Sequence, residues 1–471
     1  MSQLPAGVAA GHPSTAAAGL TVLAGGGSAG DAAAAMVLAG SVAETIFCGL
    51  AGGGFATHFD ASTGEITCHD FFVAVPGLDG SDPAPGLPIS VSFGGVAVPY
   101  EIGGATVAVP GVPRGVEQLH RTHGRLPWKD LVEPAIVLAR SGAPFPSSHA
   151  DLLPDVQAAM LLGAGVDAYS IDDGSGGRLL LGADGRLFHP GLAETLERYR
   201  DGGADALMAG DFGGRFVAAV RAAGGNLAEA DLAAYRVNSG PARTVGLGSG
   251  TVHLRGNDLD DVAGTFSRYH QEANTSGSPT DEVSRALALV GALAGPARRG
   301  DTTSLVAVDP QGNACAVTHS LGLGSGVWVD GVHANSMLGE GELIRGAVTP
   351  GQRMGSMMSP LVVTGSAGEL LLAGGAAGGS RIRAALLQVV SSVVLEDFPA
   401  QGAVDRPRLS VAEDTVHLEP GFSAAVVDGL TEAGYQVTRW KERKPYFGGA
   451  AVAASSGFAG DPRRGGVGLT L

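Results

Sequence analysis

Two adjacent threonines, Thr302 and Thr303, stand in the run Gly300-Asp301-Thr302-Thr303-Ser304, where a polar stretch passes into an alternating apolar strand. A threonine hydroxyl attacks a carbonyl carbon only when a base takes its proton. By default a strand-edge Thr is structural, because β-branched residues favour strands. The context here points to chemistry, since the strand turns at Pro310-Gln311-Gly312-Asn313 and returns with Thr318-His319-Ser320. A second feature is Gly374-Gly375-Ala376-Ala377-Gly378-Gly379, set between an apolar strand and a helical pattern. Backbone without Cβ lets a ligand approach main-chain N–H groups, and such a turn can bind an oxyanion or a phosphate. No GxGxxG after an N-terminal βαβ pattern supports the phosphate alternative. The twelve His are scattered, with no HExxH and no carboxylate–His cluster at ligand spacing, so no metal and no cofactor are expected. Cys48, Cys68 and Cys315 show no CxxC and are read as buried free thiols.

The elements that must position these residues follow from periodicity and punctuation. Pro13 to Leu20 reads as a capped helix ending near Gly25-Gly26-Gly27, and a second, Ala-rich helix begins at Gly30-Asp31 with Asp31 as N-cap. Ala56 to Phe59 reads as a strand, paired with Ile66 to Val75 across Ser62-Thr63-Gly64. Pro127 to Arg140 and Pro190 to Tyr199 read as amphipathic surface helices. The stretch Arg255 to Arg299 reads as an exposed connector, loop-like at Asn257 to Asp261 and Asn274 to Pro279, with one helical patch at Val283 to Leu293. Beyond it come strands Ser304 to Val308, Ala314 to Leu321 and Leu370 to Ala373, then a helix over Ser380 to Val394. Strand hairpins flanked by helices predict an α+β fold rather than a parallel βαβ sheet.

The chain has 471 residues, 45% of them hydrophobic and 16% charged, which describes a packed globular protein with a large core. A formal net charge of -16 argues against a nucleic-acid partner. Met1 to Ala18 has no basic n-region or apolar h-region, and Ala32 to Val42 is too short to span a bilayer. A soluble cytoplasmic protein with no membrane partner is therefore expected.

From about Gly7 to Gly466 the chain resembles the γ-glutamyltransferase family of N-terminal-nucleophile hydrolases. The stretches that carry the resemblance are HPSTAAAGLTVLAGGGSAGDAAAA, CGLAGGGF, VAVPGVPRGVEQLHRTHGRLPWKDLVEPAI, DTTSLVAVDPQGNACAVTHSLGLGSG, GSMMSPLVV, GGAAGGSRIRAALLQVV and DPRRGG, in family order and spacing. The resemblance implies a four-layer αββα sandwich made as a precursor and cut between Asp301 and Thr302. Segments 1–301 and 302–471 would then stay together as one composite domain. Thr302 would be the nucleophile on a small-molecule amide, with its freed α-amine, of reference pKa roughly 7.7–8.0, as the base. By the same resemblance Ser320 hydrogen-bonds the nucleophile, Thr303 helps hold it, and Gly378-Gly379 bind the oxyanion. Thr303, Asn335 and Ser356 are the matching substrate-binding positions.

The pattern breaks where the γ-glutamyl head would bind. Phe72 occupies the place of the family Arg that clamps the α-carboxylate, and Gly339 that of the Asp that receives the α-ammonium. Met357 replaces a second serine, Gly322 an Asn, Ser304 a His, and Arg255 to Phe266 lacks the family's Pro-Ser-Ser-Gly-Gly character. A phenyl ring cannot reproduce a bidentate Arg–carboxylate pair. Arg114 and Arg353 are possible substitute anion partners beside their surface or structural readings. Three function readings follow: an amidase or acyltransferase on γ-glutamyl or on oxamate- or cephalosporin-acylase-like substrates; an unprocessed pseudoenzyme that binds; and a metal-dependent hydrolase.

Overall fold

The computed structural model describes residues 3–93, 96–276, 281–294, 302–344, 346–412 and 414–471. Asp301, the residue on the upstream side of the expected cut, lies outside the described residues.

Two antiparallel sheets dominate the fold. The first runs Asn238–Pro241, Ile66–Phe71, Gly53–Phe59, Ala314–Ser320, Thr303–Val308, Gly7–Ala10 and Val467–Thr470. The second runs Arg243–Leu247, Gly250–Leu254, Leu361–Thr364, Leu370–Ala377, Gly449–Ala454 and Gly457–Gly460. The period of two along a strand decides which side chains meet. Val306, Val308, Ala314 and Ala316 of the first sheet form one core with Val362, Ala373, Ala451 and Ala453 of the second. Their alternates Leu305, Ala307, Cys315 and Val317 face the opposite way, into a core shared with helices Pro13–Ala24 and Ala29–Ala43. Leu361, Val363, Leu372 and Val452 do the same on the far side, against helices Val262–Ser276, Glu282–Leu293 and Arg381–Val394. The mixed helix and sheet composition matches the α+β expectation.

Helix Ala29–Ala43 is buried along its whole length. Its alanines and glycines let it lie close to its neighbours, and Met36 fits only because Gly19 has no Cβ, which would stand 2.4 Å from its sulfur. Its start corrects the sequence expectation. Ser28 is the N-cap, and Asp31 is the third helical residue of a capping box, returning a bond from its carboxylate to the Ser28 N–H. A second correction concerns the stretch after Arg255. It is largely helical, because Val262, Ala263, Phe266 and Tyr269 fall on one face and are buried against the second sheet. Asn274 therefore belongs to a helix rather than a loop. The hairpin partner of Gly53–Phe59 ends at Phe71 rather than continuing to Val75. Cys48 and Cys315 are buried free thiols, but Cys68 is only half-buried.

Burial holds several imidazoles neutral. It lowers His319 and His333 from the ordinary 6.5 to about 3, and His189 to about 4. A group whose folded-state pKa is depressed contributes stability that is present above its unfolded value and is lost as pH falls through the folded one. Stability is therefore expected to fall progressively as pH drops from about 6.5 toward 4, by at most about 1.4 kcal/mol per pH unit for each such histidine, and the melting temperature falls with it. Thermal scans in a buffer series check this, and a flat profile over that window contradicts it.

Candidate functional site

Strand Thr303–Val308 pairs with Ala314–Ser320 so that Thr303 faces His319 and Ser304 faces Thr318. One step further in the same register sets Thr302 opposite Ser320. Alternation then puts Thr302, Ser304, Thr318 and Ser320 on the face turned toward the second sheet. Two contacts fix that direction. Ser304 Oγ lies 3.2 Å from Thr318 Oγ1, and a Cβ at Gly375 in the opposing sheet would stand 2.3 Å from the same Ser304 oxygen. Ser320 Oγ accepts the Gly322 N–H at 3.0 Å. Thr302 is 4% exposed and Ser320 3%.

Thr303 points the other way. Its hydroxyl donates to Glu44 Oε2 at 2.5 Å, and Thr15 donates to Glu44 Oε1 at 2.7 Å. Glu44 caps the C-terminal end of helix Ala29–Ala43, so one buried carboxylate ties the first residue of this strand to both helices beneath it. Gly11 leaves the necessary room, since a Cβ there would be 2.6 Å from Glu44 and 2.9 Å from the Thr303 hydroxyl. Thr303 thus anchors the strand from the face opposite Thr302.

On the second sheet, strand Leu370–Ala377 ends in Gly378 and Gly379, with φ of 115° and 57°. Both angles favour glycine, and they turn the backbone out of the sheet into helix Arg381–Val394. A Cβ at Gly378 would also meet Gly448 Cα at 2.8 Å. Arg464 joins this turn to the candidate nucleophile. Its Nη1 donates to the Thr302 carbonyl at 3.2 Å, and its Nη2 is 3.4 Å from the Cβ position of Gly378.

The remaining expected contacts are more deeply buried. Asn335 is fully enclosed. Its amide nitrogen donates to Ala51 and Ala108 carbonyls at 2.8 Å each, and its oxygen accepts from Ala108 and Met337 N–H groups. All four of its bonding positions are filled by backbone, which makes it a strut for its loop. Ser356 is 1% exposed and its Oγ accepts the Met358 N–H. Among the described residues, no three His, Cys, Asp or Glu side chains are grouped to hold a metal ion. No described helix is long and apolar enough to cross a membrane.

The gamma-glutamyltranspeptidase family model matches residues 15–256 and 265–470. This chain belongs to that family. A glutathione hydrolase proenzyme of Bacillus subtilis is 32% identical over 49% of the chain, a match that spans only 38% of that protein. An acylase ACY 1 proenzyme from Pseudomonas sp. strain V22 is 26% identical over 91% of the chain and 86% of its own length. In three dimensions a cephalosporin acylase from Bacillus halodurans superposes with a TM-score of 0.76 at 21% identity, over 100% of this chain and 96% of the other.

Residues 72 and 339, read from the sequence as departures from the family pattern, are both buried. Phe72 is 1% exposed and stacks on Phe55, with ring centres 5.4 Å apart. Its carbonyl accepts from the Tyr235 hydroxyl at 2.6 Å and from Arg353. A Cβ at Gly339 would lie 1.9 Å from the Glu101 carbonyl oxygen, so backbone excludes any side chain. Gly339→Asp is accordingly expected to lower the melting temperature rather than to install an ammonium partner. Thermal melts check this, and a stable variant with gained γ-glutamyl activity contradicts it. The neighbouring Glu340 takes the Tyr100 hydroxyl at 2.9 Å. Of the possible substitute cations, Arg114 pairs with Asp205 and Glu117 at the surface, and Arg353 pairs with Asp70 and lies over the Tyr235 ring. Glu44 and Arg464 were not anticipated, although DPRRGG carries the latter; no local spacing marks Glu44, whose partners stand 29 and 259 residues away.

Proposed function

We propose that this protein is an amide-cleaving enzyme of the gamma-glutamyltranspeptidase family that releases Thr302 as its own N-terminal nucleophile. The observation that carries this reading is the bond from Arg464 to the Thr302 carbonyl beside the Gly378 turn, supported by a strand register whose continuation from Thr303–His319 would bring Thr302 to Ser320. The two facing sheets and their outer helices support reading the architecture as the four-layer αββα sandwich of N-terminal-nucleophile hydrolases.

In the maturation step the Thr302 hydroxyl attacks the Asp301 carbonyl carbon. The peptide C–N bond breaks as the C–O ester bond forms, and the proton given up by the hydroxyl passes to the leaving nitrogen, which becomes a free α-amine. Water then hydrolyses the ester, restoring the hydroxyl and leaving segments 1–301 and 302–471. In turnover that amine accepts the hydroxyl proton as oxygen attacks the substrate carbonyl. N–H groups of Gly378 and Gly379 receive the oxyanion, a contribution of about 10²–10³-fold in rate per donor. The protonated amine returns its proton to the leaving nitrogen, and water or an acceptor amine resolves the acyl-enzyme. Ser320 orients the nucleophile and Glu44 fixes its strand through Thr303.

Buried Phe72 and the side-chain-free Gly339 favour acyl groups without a zwitterionic amino-acid head, because an unpaired carboxylate and ammonium would each be costly to bury. The test is a mass measurement of purified protein, followed by a panel of γ-glutamyl and non-glutamyl amides. Two fragments meeting at 301/302 are expected, with turnover of the non-glutamyl amides and kcat/KM rising as pH passes the α-amine pKa, roughly 7.7–8.0 as a reference. An intact wild-type chain without amidase activity overturns the reading and leaves a binding protein.

A further inference from the structure

A cavity of about 670 Å³ opens beside the edge strand Asn238–Pro241. It lies within the size range of small-molecule sites. Its apolar wall includes Phe55, Leu259, Leu343 and Met354, and two guanidinium groups, Arg255 and Arg353, reach it. The two cations differ. Arg353 is paired with Asp70 at 3.3 Å and donates to the Phe72 and Arg236 carbonyls. Arg255 lies face-on over Phe55, its guanidinium carbon 3.7 Å from the ring centre, and Phe55 in turn rests on Phe72.

Among the described residues no carboxylate comes within ion-pair distance of Arg255, though its charge feels the more distant Asp70 and Asp258. Asp70 is engaged by Arg353, and Asp258 Oδ1 accepts the N–H groups of Asp260 and Val262. What Arg255 has are neutral acceptors. Its Nη1 donates to the Ser356 carbonyl at 3.0 Å and to that of Met358 at 3.4 Å, and its Nη2 reaches Asn257 O only at 3.5 Å. Partial burial lowers its pKa from the ordinary guanidinium value.

A half-buried guanidinium with donor positions left over from its three backbone contacts, on an apolar wall, is the chemistry that recognises a carboxylate. We propose that this cavity is a binding site for a small molecule with an apolar or aromatic body and one carboxylate. The carboxylate accepts from Arg255 and the body packs on Phe55, Leu259 and Met354. The inference goes beyond the proposed amide cleavage and stands whether or not Thr302 is the nucleophile, because it concerns binding alone.

Calorimetric titration of the full-length protein with 4-phenylbutyrate, and with 4-phenylbutanol as its neutral counterpart, tests it. The acid is expected to bind at least about tenfold more tightly than the alcohol, as a charge-assisted hydrogen bond requires. Thr302→Ala should bind both as wild type does, which separates this result from any failure of the nucleophile reading. Arg255→Met should weaken the acid by about 10- to 100-fold and leave the alcohol unchanged, with Arg255→Lys recovering part of the loss. If Arg255→Met does not fold, Leu259→Trp, which fills the cavity with the cation intact, should abolish binding of both. Equal affinity for acid and alcohol, no binding of either, full acid binding by Arg255→Met, or unchanged binding by Leu259→Trp overturns the proposal.

Discussion

Thr302→Ala yields a single uncut chain of 46.9 kDa and loses at least about 10⁴-fold in amide cleavage, the scale on which removal of a nucleophile is felt. The fold should survive the change. Arg464 reaches the backbone carbonyl of residue 302, and the adjacent anchor to Glu44 runs through Thr303. Equal melting temperatures for the variant and an uncut wild-type precursor would confirm that chemistry alone is lost. Thr302→Ser keeps the hydroxyl and should restore cleavage at a reduced rate. Denaturing gels and intact mass read the first effect, and initial rates on the amide panel the second. A Thr302→Ala protein that is still cut at 301/302, or still hydrolyses the same amides at wild-type rate, rules out Thr302 as nucleophile.

The largest effect on stability is expected at Arg463. Arg463 and Glu419 both have fully buried side chains, joined at 2.5 Å and 2.7 Å. Arg463 also reaches Asp461 at 3.2 Å, and Asp461 pairs with the equally buried Arg408 at 2.6 Å. Arg463→Met would leave Glu419 without its counter-charge, and breaking one partner of a buried pair costs about 3–5 kcal/mol. Denaturant titration at pH 7 measures it; a change below about 1 kcal/mol would show that the network contributes little. Burial alone would raise the Asp461 pKa, but Arg408 and Arg463 outweigh it and hold the group below the ordinary 3.8. Its contribution is therefore present above that value and lost as pH falls through the depressed one, in an acid window below that of the histidines. Because Arg464 follows directly and holds Thr302, Arg463→Met should also slow cleavage.

The elements that carry the candidate site were legible from local pattern, while the roles of their residues came from the family resemblance. The alternation through Ser304 to Val308 and its return through Thr318 and Ser320 follow from the period of two, and the run Gly374 to Gly379 stands out as a stretch without bulky side chains between a strand and a helix. Glu44, Arg255 and Arg464 were illegible for a common reason. Each acts on a residue at least 100 positions away, at separations of 259, 101 and 162, and a charged residue reads the same in sequence whether it is solvated or buried. The stretch after Arg255 was misread because its Asn, Asp, Gly and Ser content suggests turns. Tertiary burial of Phe266 and Tyr269 overrides that weak local preference. Ser28 was missed as a cap because Asp31 is itself a good cap residue, and only the bond directions tell the two apart.

The strand order of the first sheet would take on a further meaning if the chain is severed at 301/302 as proposed. Asn238–Pro241, Ile66–Phe71, Gly53–Phe59 and Gly7–Ala10 come from the leading segment, while Ala314–Ser320, Thr303–Val308 and Val467–Thr470 come from the trailing one. Gly7–Ala10 is inserted between two strands of the other segment, so three ladders are shared between the segments in this sheet alone. Neither piece could complete this sheet by itself. Maturation would then turn a single-chain folding problem into an assembly problem. The uncut precursor refolds at a rate independent of concentration, whereas the matured protein, once denatured, must find its other half. The same stroke that frees the nucleophile would leave the mature molecule held by a weave it cannot readily reknit.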